Sequence, residues 1–284
     1  MVGGADDVRM PVVAGQFYEG TAEGLRRQIE ECYLGRLGPG ELPQVREDGP
    51  RRIVGLVAPH AGYMYSGGTA AYAYSHLAED GVPETVVIIG PSHAMPPYAP
   101  AAIQSRGAWL TPLGESPIDA EIASAITSAW PDIVDGMRYF SAEHSLEVQL
   151  PFLQYLYGES LKIVPIMIMD STKETARRLG QVLGQVLQGR NAVIVASTDL
   201  SHDFPREQAE KADKELIGRM LDWDPDGLVE LGPRLRMCGY APVAAMLHAA
   251  KALGATEAKM LAYSHSGMIV GFRVVGYVAV SVER

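Results

Sequence analysis

The chain has 284 residues, of which 47% are hydrophobic, so it can form one large α/β domain or two small ones. Its formal charge of −10 and pI of about 5.2 argue against nucleic acid or an anionic membrane surface as the main partner. With Cys32 and Cys238 as its cysteines, it is not built on a disulfide framework, and no apolar run approaches a membrane span. The N-terminus lacks the pattern of a signal peptide, so we expect a cytoplasmic protein.

The first predicted elements form a strand–helix–strand unit. After an extended lead-in, a helix at 21–33 and a surface loop, Val- and Ile-rich runs predict buried strands at 53–58 and 85–90. An Ala- and Tyr-rich helix at 69–77 connects them, so the two strands should be parallel. His60 and His93 each follow the carboxyl end of one of these strands. We therefore expect both histidines at one edge of the sheet, where open α/β sheets place their sites.

The rest of the chain continues the alternation of strands and helices. Strands are predicted at 101–105, 161–169, 191–197, 258–263 and 272–282; helices at 119–130, 143–157, 171–187, 206–221, 225–231 and 240–253; and a loop at 109–117. Pro151 predicts a kink or a late start in the second of these helices. This order predicts a single three-layer α/β domain over residues 1–284, with helices over a mixed sheet.

A further histidine follows a strand together with a carboxylate. His202 lies three residues after Asp199, just past the strand that ends at Ser197, and His144 opens a helix after a loop. A carboxylate beside an imidazole can orient the ring and raise its basicity, which suits a general base or a metal ligand. The alternative is that Asp199 caps the following turn and His202 has no role.

Two further motifs admit both a functional and a structural interpretation. Cys238 stands just before a predicted helix, where a thiol has a lowered pKa and binds metal better, but most free cysteines are small buried hydrophobes. Cys32, on an apolar helical face, fits that second description. Gly67 and Gly68 could form a turn with free N–H groups near the site, although no Lys-Ser or Lys-Thr of a phosphate loop follows.

Six segments of the chain resemble, in order, the Memo-like proteins, which are relatives of the class III extradiol ring-cleavage dioxygenases. They are PHAGYMYSG at 59–67, GPSH at 90–93, EHSLEVQLPFL at 143–153, STDLSH at 197–202, CGYAP at 238–242 and VVGYVAV at 274–280. The resemblance extends from Pro11 to the end of the chain. It implies a single αβα domain with a mixed central sheet, similar to that of the class III extradiol dioxygenases.

The resemblance also implies a metal site. The histidines of PHAGY and GPSH, His60 and His93, match metal-ligand positions, and Cys238 matches the third. The dioxygenases surround Fe(II) with two histidines and a carboxylate, so a cysteine in the third position is a departure. That departure is typical of the Memo branch, whose animal members are described as signalling scaffolds and as metal-binding redox proteins. The implied metal is Fe(II) or copper, with zinc also tolerated.

The same resemblance implies which residues surround the substrate. Asp199, His202 and His144 match residues lining the pocket, with His202 moving protons and Asp199 orienting it. The expected activity is metal-assisted redox or oxygen chemistry on a small molecule. Two alternatives stay open: a non-catalytic scaffold that captures a short peptide or a metal, and a metal-dependent hydrolase with His202 as the base. We expect no nucleic-acid or membrane partner, and a homo-oligomer also stays open.

Overall fold

A large mixed β-sheet forms the centre of the molecule. The structure is a computed structural model and describes residues 7–269 and 271–284. Its strands are β1 Val8–Arg9, β2 Ile53–Ala58, β3 Thr85–Pro91, β4 Ala101–Ile103, β5 Ala108–Thr111, β6 Gly114–Pro117, β7 Val134–Asp135, β8 Lys162–Ile168, β9 Ala192–Ser197, β10 His202–Pro205, β11 Glu257–His265 and β12 Arg273–Glu283. The main sheet has the order β10-β12-β2-β9-β3-β8-β4-β7, with β11 also paired to β12, whereas β1, β5 and β6 form a small separate sheet.

Helices cover the sheet. They are α1 Ala22–Leu34, α2 Tyr63–Asp80, α3 Ala120–Ala129, α4 Leu150–Tyr157, α5 Lys173–Val186, α6 Arg206–Leu221, α7 Pro225–Leu231 and α8 Tyr240–Ala252. Helices α5 and α8 pack on each other, with α8 lying over β2, β3 and β9, while α2 packs on β2, β11 and β12 with α1 and α4 beside it. The predicted three-layer αβα arrangement with a mixed sheet is confirmed.

Three central strands determine where the site lies. Strands β2 and β3 are parallel, as predicted, but they are not neighbours, because β9 lies between them and pairs in parallel with both. All three are almost entirely buried, which explains why their sequences are continuous apolar runs rather than alternating ones. The three strands therefore end at the same edge of the sheet. There the segment that follows β9 lies beside the turns that carry His60 and His93.

The predicted turn at Gly67 and Gly68 is wrong. Helix α2 begins at Tyr63, six residues earlier than expected, and includes both glycines. A Cβ at Gly67 would lie 2.3 Å from Cys32 Sγ, and one at Gly68 would lie 2.8 Å from the backbone of Leu37. These glycines therefore allow α1 and the loop after it to pack closely on α2, at the cost of some helix propensity.

Two other segments differ from the sequence prediction or refine it. The segment 109–117 contains an antiparallel hairpin of β5 and β6 rather than a loop. The predicted helix 143–157 takes the late start that Pro151 allows: α4 begins at Leu150, with the proline in its first turn. Residues 143–149 are thereby left outside regular α-helix, free to approach the strand ends. Within the described residues, no helix is long and apolar enough to cross a membrane.

Candidate metal centre

The carboxyl ends of the three central strands bring the predicted residues together. His60, His93 and Asp199 each lie two residues beyond the last residue of β2, β3 and β9, respectively. The ring centroids of His60 and His93 are 5.3 Å apart, and the backbone N–H of His60 donates to Asp199 Oδ1 at 2.8 Å. Both histidines thus lie at one edge of the sheet, as the strand pattern predicted.

A third histidine completes a cluster that can hold a metal ion. One ring nitrogen each of His60, His93 and His144 can be chosen so that all three lie within 4.8 Å of one another. His144 comes from the irregular segment before α4, and its ring lies 4.6 Å from that of His93 and 5.6 Å from that of His60. The family resemblance implied that His144 lines the pocket, and its position also allows it to be a metal donor.

Hydrogen bonding fixes the tautomer of His60. Its Nδ1 lies 2.8 Å from Ser197 Oγ, and that hydroxyl donates its one proton to the carbonyl oxygen of Ser145 at 2.7 Å. Because Ser197 has no second proton to give, Nδ1 must be the donor, which leaves the Nε2 lone pair of His60 free. Burial, together with the charges of His93 and His144, lowers the pKa of His60 well below its usual value. The ring is therefore neutral, as a metal ligand must be.

Gln149 holds this serine in place. Its Nε2 donates to Ser197 Oγ at 2.7 Å and to the carbonyl oxygen of Pro59 at 3.0 Å, while its Oε1 accepts from Tyr74 at 2.6 Å. All of these groups are buried. The orientation of His60 thus depends on a fully paired polar network underneath the cluster.

Glu143 has the corresponding role for His93. Its carboxylate accepts from the ring Nδ1 of His93 at 2.9 Å and from the backbone N–H groups of His93, His144 and Ser145 at 2.6–2.9 Å. Burial alone would raise the pKa of Glu143, but the hydrogen bonds and charge of His93 outweigh it and lower the pKa to about 2. The ionised carboxylate holds the proton of His93 on Nδ1, so that Nε2 is the nitrogen left for a ligand.

Burial lowers the pKa of His93 less than Glu143 raises it, so its net pKa is raised. For His144, burial has the larger effect, and its pKa is lowered. His144 also contacts the N-terminal segment, since its ring lies 4.9 Å from that of Phe17. Sequence patterns assigned no role to Glu143, although a glutamate directly before the motif histidine was the signal that could have suggested one.

A second buried glutamate ties the N-terminal segment to the cluster. Glu147 pairs with the buried Arg9 and accepts from Tyr18 Oη at 2.6 Å and from the backbone N–H of Val13 at 3.0 Å. Arg9 in turn donates to the carbonyl oxygen of Glu143 at 2.6 Å. The segment before α1, which the sequence predicted only as an extended lead-in, is therefore attached to the segment that carries His144.

Cys238 lies directly beside His60. Its Sγ is 3.2 Å from His60 Nε2, and the backbone N–H of Asp199 donates to that sulfur at 3.2 Å. Burial, with the nearby Asp199 charge, raises the pKa of the thiol, so without a metal the sulfur is protonated. The sulfur is not part of the three-histidine group, but it contacts His60 Nε2, the ring nitrogen that Ser197 does not engage. Imidazole nitrogens and a thiolate together form a donor set that suits iron, copper and zinc.

His202 and Asp199 occupy the side of the cavity next to the cluster. The ring Nδ1 of His202 lies 2.9 Å from the carbonyl oxygen of Leu200 and 3.0 Å from that of Arg236. Carbonyl oxygens only accept, so Nδ1 carries the proton and Nε2 is free. These carbonyls, rather than the Asp199 carboxylate, orient the ring; Asp199 instead accepts from the backbone of His60. Burial raises the pKa of Asp199 to about 6, against the opposing charge of His202.

The cluster opens into a cavity of about 460 Å³. Its lining contains the three clustered histidines, Asp199 and His202, together with Gln16, Phe17, Ala61, Gly62, Tyr65, Val275 and Tyr277. This volume is within the range of small-molecule sites. The aromatic and aliphatic side chains of this lining favour a ligand with an apolar body.

Comparison with known proteins places the chain in a family. Residues 9–281 match the family described as Memo-like protein. A MEMO1 family protein of Methanopyrus kandleri is 46% identical over 97% of this chain and 99% of its own length, and one of Methanothermobacter thermautotrophicus is 44% identical over 96% of this chain and 100% of its own. The crystal structure of an uncharacterized Escherichia coli protein covers 81% of this chain and 100% of its own, with a TM-score of 0.57 at 14% identity, which supports the fold alone. The chain belongs to the Memo-like protein family.

Proposed function

We propose that the chain binds a redox-active metal ion, Fe(II) or copper with zinc also accommodated, and performs metal-assisted redox or oxygen chemistry on a small molecule. The observation that carries this proposal is the convergence of His60, His93 and His144 at the floor of an open cavity. In both His60 and His93 the ring Nδ1 is engaged in a hydrogen bond, so Nε2 is the nitrogen that can bind the metal. Such pre-orientation by a second layer of hydrogen bonds is typical of metal ligands.

His60, His93 and Cys238 are the ligands we propose, and His144 is a fourth donor at the same site. The contact between Cys238 Sγ and His60 Nε2 and the N–H group directed at the sulfur support the cysteine. A backbone N–H stabilises a thiolate, which the metal would form by displacing the thiol proton. His144 is supported by its distance to the other two imidazoles.

His202 is the group we propose for proton transfer. Its Nδ1–H is held by two carbonyl oxygens, so only Nε2 can accept a proton from a substrate or return one. It lines the cavity without belonging to the three-histidine cluster. A bound metal ion would supply Lewis acidity and, as iron or copper, a path for electrons to or from the substrate.

The location we propose is the cytoplasm. Both cysteines are free thiols: Cys32 is buried in α1, and Cys238 is half-buried just before α8. The reducing cytoplasm keeps a thiol available as a metal ligand, whereas an oxidising compartment exposes it to disulfide exchange.

Metal analysis of protein purified without oxygen, followed by a substrate screen with and without oxygen, tests the proposal. We expect bound iron or copper in wild-type protein and in His248→Ala, a matched control whose half-buried helical histidine lies outside the site. Oxygen-dependent turnover would support the proposed redox chemistry. Hydrolysis that does not depend on oxygen would contradict it and favour the metal-dependent hydrolase. Protein that takes up none of the three metals on reconstitution would contradict the proposal and leave the binding scaffold.

A further inference from the structure

Two strained residues lie beside the cavity and contact each other. Positive φ values occur, among the non-glycine residues that the structure describes, at Arg51, Asp203, Trp223 and Arg236. Asp203 and Arg236 have φ values of 59° and 57°, and both adjoin His202, the first through the chain and the second through its carbonyl oxygen. Left-handed backbone at non-glycine residues is strained and is concentrated at functional sites, so we expect a role for this pair in the contacts of its side chains.

Asp203 is the extra residue of a β-bulge. His202 pairs with Val275 and Phe204 with Val274, so Asp203 has no partner in the ladder between β10 and β12. Bulges of this kind redirect a side chain and recur near binding sites. Here the bulge turns the carbonyl oxygen and the carboxylate of Asp203 towards two guanidinium groups.

Arg236 and Arg273 are held on this bulge mainly by groups other than the carboxylate. Both donate through Nη1 to the carbonyl oxygen of Asp203, at 3.3 and 2.5 Å, and the Arg236 guanidinium lies 4.7 Å above the ring of Phe204. Their contacts with Asp203 Oδ2 are longer for an ion pair, 3.5 and 3.2 Å, and all three side chains are more than half exposed. Exposed pairs of this kind contribute little stability, so the carboxylate can be replaced easily while the carbonyl keeps the arginines in place.

Strand β12 places this group at the rim of the cavity. Side chains alternate along a strand, so Arg273, Val275 and Tyr277 share one face. Val275 and Tyr277 line the cavity, while on the opposite face a Cβ at Gly276 would meet Asp213 of α6. Arg273 therefore occupies the next position outward on the cavity side. Arg236 lies beside Arg273, since both guanidinium groups donate to the carbonyl oxygen of Asp203, the residue after the cavity-lining His202.

The arginines also supply a charge that the cavity wall lacks. No lysine or arginine occurs in the described lining, and the chain as a whole carries a formal charge of −10. Two guanidinium groups against one carboxylate leave a net positive charge at the rim. This edge of the cavity therefore attracts an anion, although the protein as a whole is acidic.

We propose that Arg236 and Arg273 form a clamp for the carboxylate of a small-molecule ligand whose apolar body lies in the cavity. In the structure the two guanidinium groups also lie 3.5 and 3.2 Å from the carboxylate of Asp203, whose place the ligand's carboxylate takes. Planar guanidinium groups bind carboxylates in pairs of parallel hydrogen bonds, a geometry that a lysine does not offer. If the chain is the enzyme proposed above, the clamp identifies its substrates as carboxylates, and in that respect it rests on the proposed function. Binding of a carboxylate to the clamp can nevertheless be measured without turnover.

Calorimetric titration with phenylacetate and its neutral isostere phenylacetamide tests the clamp. We expect Arg273→Gln and Arg236→Gln each to weaken phenylacetate binding about tenfold, because a charge-assisted hydrogen bond is lost. The affinity for phenylacetamide should stay the same in both variants. Asp203→Asn should strengthen phenylacetate binding, since it removes the internal competitor. Arg206→Gln and Glu207→Gln are the matched controls: they make the same charge changes at exposed positions of α6, and phenylacetate affinity should stay at the wild-type level.

Three results would overturn the clamp. The first is that folded wild-type protein does not bind phenylacetate, and the second is that Arg206→Gln weakens phenylacetate binding as much as Arg273→Gln does. The third is weaker phenylacetate binding in Asp203→Asn, a result that would indicate a structural role for Asp203 and its two arginines. Tighter, arginine-dependent binding of phenyl phosphate would assign the clamp to phosphate instead. Metal content, measured on every sample, separates this proposal from the previous one: arginine-dependent binding to protein that takes up no metal refutes the metal function alone, and arginine-independent binding to metal-loaded protein refutes the clamp alone.

Discussion

The floor and the rim of the cavity are built on opposite principles. The floor, consisting of His60, His93, His144 and Cys238, lies at the ends of parallel strands and is oriented by buried groups whose hydrogen bonds are paired. The rim, consisting of His202, Asp203, Arg236 and Arg273, combines the antiparallel pair of β10 and β12 with the turn before α8. Its three charged side chains are more than half exposed, and Asp203 and Arg236 have positive φ values. A buried, satisfied network keeps one geometry, whereas exposed ion pairs can exchange partners.

This difference matches two separate tasks. Metal ligands have to keep their donor atoms within a few tenths of an ångström, which needs a rigid second layer such as Glu143 and Ser197. A group that captures and releases a ligand has to give up its resting contacts at small cost. His202, a member of the rim, links the two regions: it lines the cavity beside the floor histidines, and the backbone carbonyl oxygens of Leu200 and Arg236 orient its ring.

The same difference explains which parts of the site are predictable from the sequence. Buried parallel strands leave a local signal, a short Val- and Ile-rich run, and the residue two positions beyond it reaches the sheet edge. For this reason the strand pattern alone places His60 and His93 together, although it does not reveal that β9 is inserted between β2 and β3. Strand order depends on contacts between segments that are distant in the sequence, and a local pattern of residues carries no information about such contacts.

The rim had no such local signal. Arg273 comes close to Asp203 only because β10 pairs with β12, and the positive φ of Asp203 arises from a bulge in that pairing. Glu143 was missed for a related reason: its carboxylate matters through hydrogen bonds to His93, fifty residues earlier in the chain. The role expected for Asp199, holding the His202 ring, instead belongs to two carbonyl oxygens, which side-chain patterns cannot reveal.

The largest expected effect is the loss of metal when the floor is broken. His60→Ala and Cys238→Ala should each lose most of the bound metal, because each removes a ligand atom from a site whose other groups cannot move to compensate. Metal content by plasma emission spectroscopy of folded protein is the measurement, with His248→Ala as the control. His144→Ala should retain more metal than Cys238→Ala. The reverse order would make the three histidines the ligand set and remove Cys238 from it.

The next effect tests whether His202 belongs to the floor or to the rim. His202→Ala should keep roughly the wild-type metal content, because its ring lies outside the three-histidine cluster. Once a substrate is known, the same change should lower kcat by about a hundredfold or more, the usual scale for the loss of a general acid or base. Steady-state kinetics at saturating substrate on metal-loaded protein is the measurement. Loss of metal from folded His202→Ala would show that the histidine is a ligand.

A smaller loss of affinity is expected from the layer behind the floor. Glu143→Gln keeps the shape of the side chain but removes the charge that holds the proton of His93 on Nδ1. Changes of this kind cost about 10–100-fold in metal affinity, so the dissociation constant from competition with a chelator should rise by that factor. Glu84→Gln, at the exposed position before β3, is the matched control. A Glu143→Gln protein with wild-type affinity would show that the floor does not need its second layer.

The smallest effect concerns stability and compares the two regions directly. Ser197→Ala leaves His60 Nδ1, Gln149 Nε2 and the carbonyl oxygen of Ser145 without their buried partner, so unfolding of metal-free protein should become easier by about 1–3 kcal/mol. Asp203→Gly removes only weak exposed pairs and relieves a positive φ, so its unfolding free energy should change by less than about 0.5 kcal/mol. Chemical denaturation of both variants under the same conditions provides the comparison. If Asp203→Gly were as costly as Ser197→Ala, the rim would carry the stability of the edge strand, and its carboxylate would not be free to yield to a ligand.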